Sequence, residues 1–287
     1  MQKLNTILPY FQMKNLSLIT FLFFFASIPG FSQLFTVYPE KELGQAEIVI
    51  TYEKTYQQDS LNPRKRKDKM ILLIGKNISS FYSETADRFI KATQSFSTIA
   101  DFQAFMNDPA NNIRLGGSLT RIFKNYPEGN ITTTDHIPSD GYMYAEDLNL
   151  INWKITGETD SISGYTVQKA TTSFAGRDWV AWFAPEIPYN DGPYKFNGLP
   201  GLILKIHDTR DHYLFEMVSI EIPVEKTPIY FTERTYIRTT KEGFFRAWNA
   251  FRNSFVGRTD IVPDSHSRHV MSDNMSRHNN PIELIAE

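Results

Sequence analysis

The densest group of residues able to do chemistry lies in KIHDTRDHYLFE, residues 205–216. It holds two histidines, His207 and His212, with the carboxylates of Asp208 and Asp211 between them. If the flanking segments form a hairpin, the two imidazoles face each other across the turn, an arrangement that suits zinc or copper. The same residues also suit a plain polar hairpin tip, because Asp favours turns. The sequence favours the plain tip and keeps a metal site at His207 and His212 as the alternative.

A second group of charged residues surrounds the stretch 189–208 and comprises Asp178, Glu186, Asp191 and Lys195. A carboxylate pair catalyses hydrolysis only when its surroundings push the two pKa values apart, and the sequence does not show this. The chain contains no HExxH, G-x-S-x-G, P-loop or dinucleotide-binding motif. We therefore assign no catalytic residue, expect no cofactor and favour a non-enzymatic protein, with a hydrolase as the less favoured alternative.

The first residues resemble a secretory signal peptide. Lys3 and Lys14 precede an apolar run at residues 16–26, and small residues follow it. A run of about ten residues is too short to span a membrane, which takes about twenty. We predict a signal peptide over residues 1–32, cleaved before Gln33, with an uncleaved membrane anchor as the alternative. The mature chain is then exported, to the periplasm or beyond the outer membrane, and has no transmembrane span.

The composition excludes several classes of protein. The chain has no cysteine, which excludes disulfides, cysteine zinc sites, a thiol nucleophile and a lipid-bearing cysteine. Removing Lys3 and Lys14 from the 30 basic residues leaves 28 against 32 acidic residues, which argues against nucleic acid as a partner. The basic run at residues 64–67 is interpreted as a solvated hairpin tip, with an anionic partner such as a lipid headgroup or surface polysaccharide as the alternative.

Alternating apolar residues dominate the mature chain and predict β-strands. The spacing of about ten residues, with turn residues between, is typical of an antiparallel sheet. We expect a mainly β (α+β) fold: a single curved antiparallel sheet or half-barrel with one or two packed helices. It forms one domain over residues 33–262, followed by a polar C-terminal tail over residues 263–287. The predicted strands are 47–56, 69–74, 78–84, 120–126, 130–136, 142–146, 152–158, 165–174, 178–184, 202–206 and 213–222.

Two helices are predicted, one within residues 98–108 and one after Thr239. Thr239 and Glu242 form a capping box for the second helix. Aromatic residues then recur at spacings of three and four, as Phe244, Phe245, Trp248, Phe251 and Phe255. This stripe most simply packs on the sheet as core. The alternative is that Trp248 and Phe251 line an apolar cavity.

A turn-rich stretch, YNDGPYKFNGLPGLILKIHD, leads into the predicted strand 202–206. Pro200 and Gly201 suit the central positions of a type II turn. If the stretch is exposed, its side chains contact a ligand, and if it is buried, it is a folding element. Glycine and proline specify backbone rather than chemistry, which favours the folding element. The residues that either contact a ligand or serve as a folding element are Tyr194, Lys195, Phe196, Gly198, Leu199, Pro200 and Gly201.

Residues 198–203 spell GLPGLI, and the sequence here resembles the GLPGLI family of exported proteins from the Bacteroidota. The supporting blocks are Gly164-Tyr165 with Lys169-Ala170, then residues 176–183, 187–188 and 192–196. The resemblance implies an exported, uncharacterised cell-envelope protein. Because such proteins often lie near genes for TonB-dependent outer-membrane receptors, it also implies such a receptor as a partner. One departure is that Val167-Gln168 stand where family members often have a cysteine.

Two weaker similarities complete the interpretation. Many short strands with one aromatic helix are similar in shape to the periplasmic lipoprotein carriers, an analogy that does not transmit function. Asp-Ser-apolar triplets at Ser60 and Ser161, both in predicted loops, resemble the O-glycosylation sequence of exported Bacteroidota proteins. We therefore expect a non-enzymatic protein of the cell envelope that binds an apolar or peptide ligand or serves an outer-membrane receptor.

Overall fold

The computed structural model describes residues 37–96, 98–108, 117–137, 140–257 and 277–284. The predicted signal peptide and residues 263–276 of the predicted tail lie outside these ranges.

The described residues form one large, open, mostly antiparallel sheet, which confirms the mainly β class. Its order is β13-β6-β5-β4-β3-β2-β1-β11-β10-β9-β8-β7, and β12 pairs with β1 beside this path. Only the short pairing of β13 with β6 is parallel among these strands. The strands are β1 Glu40–Gln57, β2 Lys65–Gly75, β3 Ser79–Ser83, β4 Arg121–Lys124, β5 Asn130–Ile137, β6 Asp140–Asp147, β7 Lys154–Ile162, β8 Tyr165–Phe174, β9 Arg177–Ala184, β10 Leu202–Asp208, β11 Tyr213–Glu221, β12 Pro228–Thr232 and β13 Tyr236–Arg238.

Strand β1 lies near the middle of the strand order. It is 18 residues long and is paired on both sides. One side pairs with β2 along most of its length, and the other pairs with β12 and then with β11. Ile48, Ile50 and Tyr52 alternate along it with at most 5% exposure, as expected for a strand with one face in a core.

Three helices are present among the described residues, where the sequence predicted one or two. They are α1 Glu84–Thr93, α2 Ile99–Asn107 and α3 Lys241–Gly257. The unpredicted helix, α1, starts at Ser83, whose hydroxyl accepts a hydrogen bond from the Ala86 amide at 3.2 Å. The predicted cap of α3 was wrong by one residue, because Thr240 rather than Thr239 accepts from the Gly243 amide (3.1 Å). None of the described helices is long and apolar enough to cross a membrane.

Strands from both halves of the sheet share the largest core. A loop over residues 185–201, the GLPGLI loop, packs on this core through Phe196 and Leu199, which are 0% and 1% exposed. A smaller group on strands β1, β2, β4 and β12 includes Leu73, Phe123 and Ile229. A third joins α3 to the sheet through Phe244, Ile137 and Tyr144, and the partly buried Phe245, Trp248 and Phe251 pack against it. The described part of the aromatic stripe of α3 therefore packs against the sheet, with Phe244 buried and the other rings partly buried.

The turn at Pro200 differs from the predicted type II turn. The Gly201 amide donates to the Leu199 carbonyl (2.8 Å), which closes a three-residue γ-turn. The Leu202 amide, which a type II turn would use, donates instead to the Ile187 carbonyl at 3.0 Å. Glycine is required at 201 because a Cβ there would lie 2.2 Å from the Ala184 carbonyl oxygen.

We expect Gly201→Ala to lower the free energy of unfolding by more than about 2 kcal/mol, because the methyl group has no space against the β9 backbone. The matched control is Gly157→Ala, where an added Cβ meets nothing within 4 Å. Urea denaturation of both variants measures the difference. Equal midpoints for the two variants would show that the close approach at Gly201 is unimportant.

Candidate functional site

The GLPGLI loop is fixed to the sheet by Lys124 of β4. The Lys124 ammonium contacts the Asp191 carboxylate and donates to the carbonyls of Gly192 (2.5 Å) and Phe196 (3.2 Å). Its side chain is only 3% exposed. Burial lowers the pKa of Lys124, and Asp191 opposes this shift by favouring the charged form.

A second attachment of the loop is Lys195, whose side chain has no exposed surface. Its ammonium contacts Glu146 of β6 and lies 2.5 Å from Oε1 of Glu283. Lys241, at the start of α3, lies 2.8 Å from Glu146 and 3.3 Å from Glu283. Burial alone would raise the pKa of Glu283, but Lys195 and Lys241 outweigh it and hold this pKa below its usual value. The four residues form a neutral group, the four-charge cluster.

The C-terminal segment, residues 277–284, is held by Arg177 of β9. The buried guanidinium pairs with Asp208 at 2.8 Å and donates to the Asn280 side chain (2.7 Å). It also donates to the carbonyls of Pro281 (2.6 Å) and Ile282 (3.0 Å). A planar guanidinium can make all these bonds at once, which a lysine could not. The segment therefore belongs to the packed structure, and its Glu283 completes the four-charge cluster.

These contacts favour the structural alternative for the motif. Phe196 and Leu199 lie in the core, Lys195 is paired within it, and the Tyr194 hydroxyl donates to Glu283 at 2.6 Å. Only Gly198 and Pro200 of the seven motif residues are exposed. A role of the GLPGLI loop as a folding element stays a prediction, which this packing favours.

A small pocket lies elsewhere, beside α1. Its volume is about 190 Å³, and its walls come from α1, β3 to β5 and the segment around β12 and β13. Neither Trp248 nor Phe251, the residues proposed from sequence to line a cavity, is part of it. The residues that can recognise a ligand are Tyr38, Tyr82, Arg121, His136, Arg234 and Tyr236.

His136 of β5 meets Arg234 on one wall of this pocket. Nη1 of Arg234 lies 2.7 Å from Nε2 of His136. Because a guanidinium only donates, Nε2 must accept, and we assign the ring proton of the neutral imidazole to Nδ1. Burial, helped by the charge of Arg234, lowers the pKa of His136 to about 4. Nδ1 is buried and has no hydrogen-bond partner among the described residues.

Arg121, at the start of β4, forms the opposite part of the wall. Its guanidinium lies 4.2 Å from the centre of the Tyr82 ring, and its Nη2 lies 3.4 Å from Asp87. Asp87 also pairs with Lys91, one turn along α1, at 2.8 Å. One carboxylate is thus shared by two cations, which leaves positive charge at this wall. Nε of Arg121 is buried without a hydrogen-bond partner in the described part of the chain.

The two histidines of the predicted metal site are not opposite each other. His207 pairs across the hairpin with Leu214 of β11. Nδ1 of His212 lies 3.2 Å from Arg177, whose positive charge disfavours a bound cation there. Across the described ranges, no group of three or more potential ligands could hold a metal ion. The metal site at His207 and His212 stays a prediction that this geometry disfavours.

The acidic residues proposed for a hydrolase have separate partners. Asp191 is paired with Lys124, the Glu186 carboxylate accepts from the Thr166 amide (3.0 Å), and Asp178 accepts from Ser173 (2.5 Å). Lys195 belongs to the four-charge cluster. Three of the groups lie in the loop and Asp178 lies in β9, each with a different partner, and we find no shared cleft for them among the described residues.

The remaining predicted positions lie on the surface. Ser60 is exposed in the loop after β1, where its hydroxyl donates to Asn279 at 2.9 Å. Ser161 is exposed as well, but it lies near the end of β7 rather than in a loop. Of the basic run, Lys65 and Lys67 pair with Asp211 (3.0 Å) and Glu53 (2.5 Å). Glycosylation at the two serines stays a prediction.

Sequence reasoning missed the residues that matter most here. Glu146 and Glu283 gave no signal, because residues 137 positions apart meet only through the fold. His136 and Arg121 stood within predicted strands, where isolated polar residues look like the solvent face. The one usable signal was Arg177, since an arginine next to a hairpin turn and a buried tryptophan is a candidate for a buried ion pair.

The comparison with family models gives one match, which covers a short part of the chain. The model of a family described as "Protein of unknown function (Porph_ging)" matches residues 174–205, which include β9 and the whole GLPGLI loop. No curated protein matches the chain.

Two solved structures of PNGF-II, in space groups C2 and P21, match this chain. Their TM-scores are 0.48 and 0.47, with 15% and 16% sequence identity. The match covers 72% and 71% of this chain and 33% and 34% of theirs, so the chain spans about a third of the length of these structures. Similarity this distant assigns no activity.

We expect Lys195→Met to lower the free energy of unfolding by about 3–5 kcal/mol, because two buried carboxylates would keep only Lys241. The matched control is Lys205→Met, which removes an exposed pair with Glu216 (2.8 Å) and should cost no more than about 1 kcal/mol. Chemical denaturation at pH 7 compares them. A loss at Lys195 as small as that at Lys205 would show that the four-charge cluster contributes little.

The low pKa of His136 predicts a pH dependence of stability. Between pH 6.5 and 4 the unfolded chain takes up a proton that folded His136, which faces Arg234 and follows Asp135 in the strand, does not. The stability present above pH 6.5 is therefore lost as the pH falls through 4, by roughly 3 kcal/mol in total.

The variant His136→Gln should lose less of its free energy of unfolding between pH 6.5 and 4, because glutamine keeps an acceptor for Arg234 and does not titrate. Urea midpoints of both proteins at several pH values between 7 and 4 measure it. Parallel curves for the two proteins would contradict the assignment of a neutral His136.

Proposed function

We propose that this chain is an exported protein of the cell envelope that binds an apolar ligand without chemically changing it, in the pocket beside α1. The observation that carries the proposal is the pocket itself, a cavity of about 190 Å³ with three tyrosine rings in its walls. Binding pockets are mostly apolar with a few convergent polar groups, and this pocket has that composition. Export is supported by the signal peptide predicted over residues 1–32.

The placement of the ligand beside α1 rests on the packing of the opposite face. In the shape proposed from sequence, a curved sheet or half-barrel holds its ligand on the concave apolar face. Here Phe196 and Leu199 of the GLPGLI loop fill the largest core of the sheet. We therefore propose that the sheet is a half-barrel plugged by its own loop, and that the ligand binds on the other face.

Membership of the GLPGLI family is part of the proposal. It is supported by the motif at residues 198–203, which falls inside the matched segment 174–205. The resemblance also motivates an outer-membrane receptor as partner and a peptide as an alternative ligand. A metal-binding role is the weaker alternative, because Arg177 lies 3.2 Å from His212.

Native mass spectrometry of the chain purified from its own envelope, before and after denaturation, tests the proposal. We expect a chain that begins at Gln33 and carries a small molecule lost on denaturation. A bare chain would contradict binding, and a chain that keeps residues 1–32 would contradict cleavage before Gln33.

Two leucine variants localise the ligand. Leu119→Trp adds volume at the wall of the pocket and should abolish the bound mass, whereas Leu61→Trp, at an exposed position in another loop, should retain it. A bound mass that survives in Leu119→Trp would place the ligand outside this pocket.

A further inference from the structure

The pocket beside α1 carries two hydrogen-bond donors that face no acceptor in the described structure. One is Nδ1 of His136, which holds the ring proton because Nε2 accepts from Arg234. The other is Nε of Arg121. Buried donors without an acceptor destabilise a protein, and each one calls for an explanation such as a bound group.

The charge of the pocket also favours a group that accepts hydrogen bonds and carries negative charge. Three cations line it, Lys91, Arg121 and Arg234, against two carboxylates, Glu40 and Asp87. Asp87 is already shared between Lys91 and Arg121, at 2.8 Å and 3.4 Å. His136 adds a donor without adding charge. The pocket thus offers donors and a positive field to an incoming group.

The rings define the rest of the ligand. Tyr82 lies against Arg121, and Tyr38 and Tyr236 lie against Arg234, with ring centres 4.2, 4.6 and 5.9 Å from the guanidinium carbons. The apolar parts of these rings remain to contact an apolar body. A cavity of roughly 150 Å³ holds benzene, so about 190 Å³ holds one ring with a small polar group.

We propose that the pocket takes a carboxylate attached to a small apolar body, with Arg121 and His136 donating to the carboxylate oxygens. This inference rests on the proposed function, because it names the ligand chemistry of the same pocket. The carboxylate can come from a small free acid or from the C-terminal residue of a peptide, which presents the same group beside an apolar side chain.

Calorimetric titration of residues 33–287 with three probes of similar shape and different charge tests whether the pocket prefers an anionic ligand. Benzoate should bind at least about tenfold more tightly than benzamide, because charge-assisted hydrogen bonds replace neutral ones. Benzylammonium should bind more weakly than either. Equal binding of benzoate and benzamide, or a preference for benzylammonium, would overturn the inference and leave the proposed function standing.

Binding of none of the three probes would also overturn the inference. The proposed function is then tested separately by native mass spectrometry, which shows whether the chain purified from the envelope carries a bound small molecule. The tripeptide Gly-Gly-Phe and its C-terminal amide distinguish the sources. A free tripeptide that binds as well as benzoate supports a peptide C-terminus, and binding of benzoate alone supports a small free acid.

Variants of Arg121 test whether its guanidinium causes the preference for benzoate over benzamide. Arg121→Gln should reduce the benzoate-to-benzamide ratio to near one, and Lys205→Gln, which removes a cation paired with Glu216 outside the pocket, should leave it unchanged. If Arg121→Gln does not fold, Arg121→Lys keeps the charge but lacks the Nε donor and should reduce the ratio several-fold. An unchanged ratio in a folded Arg121 variant would overturn the assignment.

Discussion

The ammonium of Lys195 is the group on which the arrangement of this protein depends most. An isolated charge in a dry interior is very unfavourable, so its burial requires carboxylates at fixed places. Glu146 comes from the sheet and Glu283 from the C-terminal segment, and Lys241 of α3 balances the second negative charge. Four separate parts of the chain are thereby held together by one neutral cluster. Burial of the GLPGLI loop follows from the same constraint, since Lys195 can reach both carboxylates only when the loop lies on the sheet.

This constraint also separates folding from binding. With Phe196 and Leu199 in the largest core, the motif that makes the sequence recognisable contributes to stability and leaves little of itself for contact with a ligand. The pocket beside α1, which we propose as the binding site, has its own arrangement, in which Arg121 and Arg234 lie against tyrosine rings and His136 contacts Arg234. On this proposal, the motif at residues 198–203 and the ligand-binding site lie in different parts of the fold.

The sequence predicted the antiparallel sheet and two of the described helices, because alternation and capping are local. It missed α1, although Ser83 and the acidic first turn were visible, and it missed the short strands β12 and β13, which have too few residues to show alternation. The candidate sites were harder. The pairing of Lys195 with Glu283 and of Arg177 with Asp208 depends on how distant strands meet, and no local pattern encodes that. The residues of the pocket come from one helix, six strands and the loops between them, and none of them formed a recognisable pattern in the sequence.

Hydrogen exchange of the folded protein, followed by mass spectrometry, tests the central claim that the GLPGLI loop is an integral part of the core. Amides of Phe196, Gly198, Leu202 and Ile203 donate to loop or strand carbonyls at 3.0–3.1 Å. We therefore predict that peptides from residues 185–201 exchange as slowly as those from β9 and β10. Exchange of the loop within seconds, while β9 and β10 stay protected, would contradict the account and return the motif to the surface as a contact site.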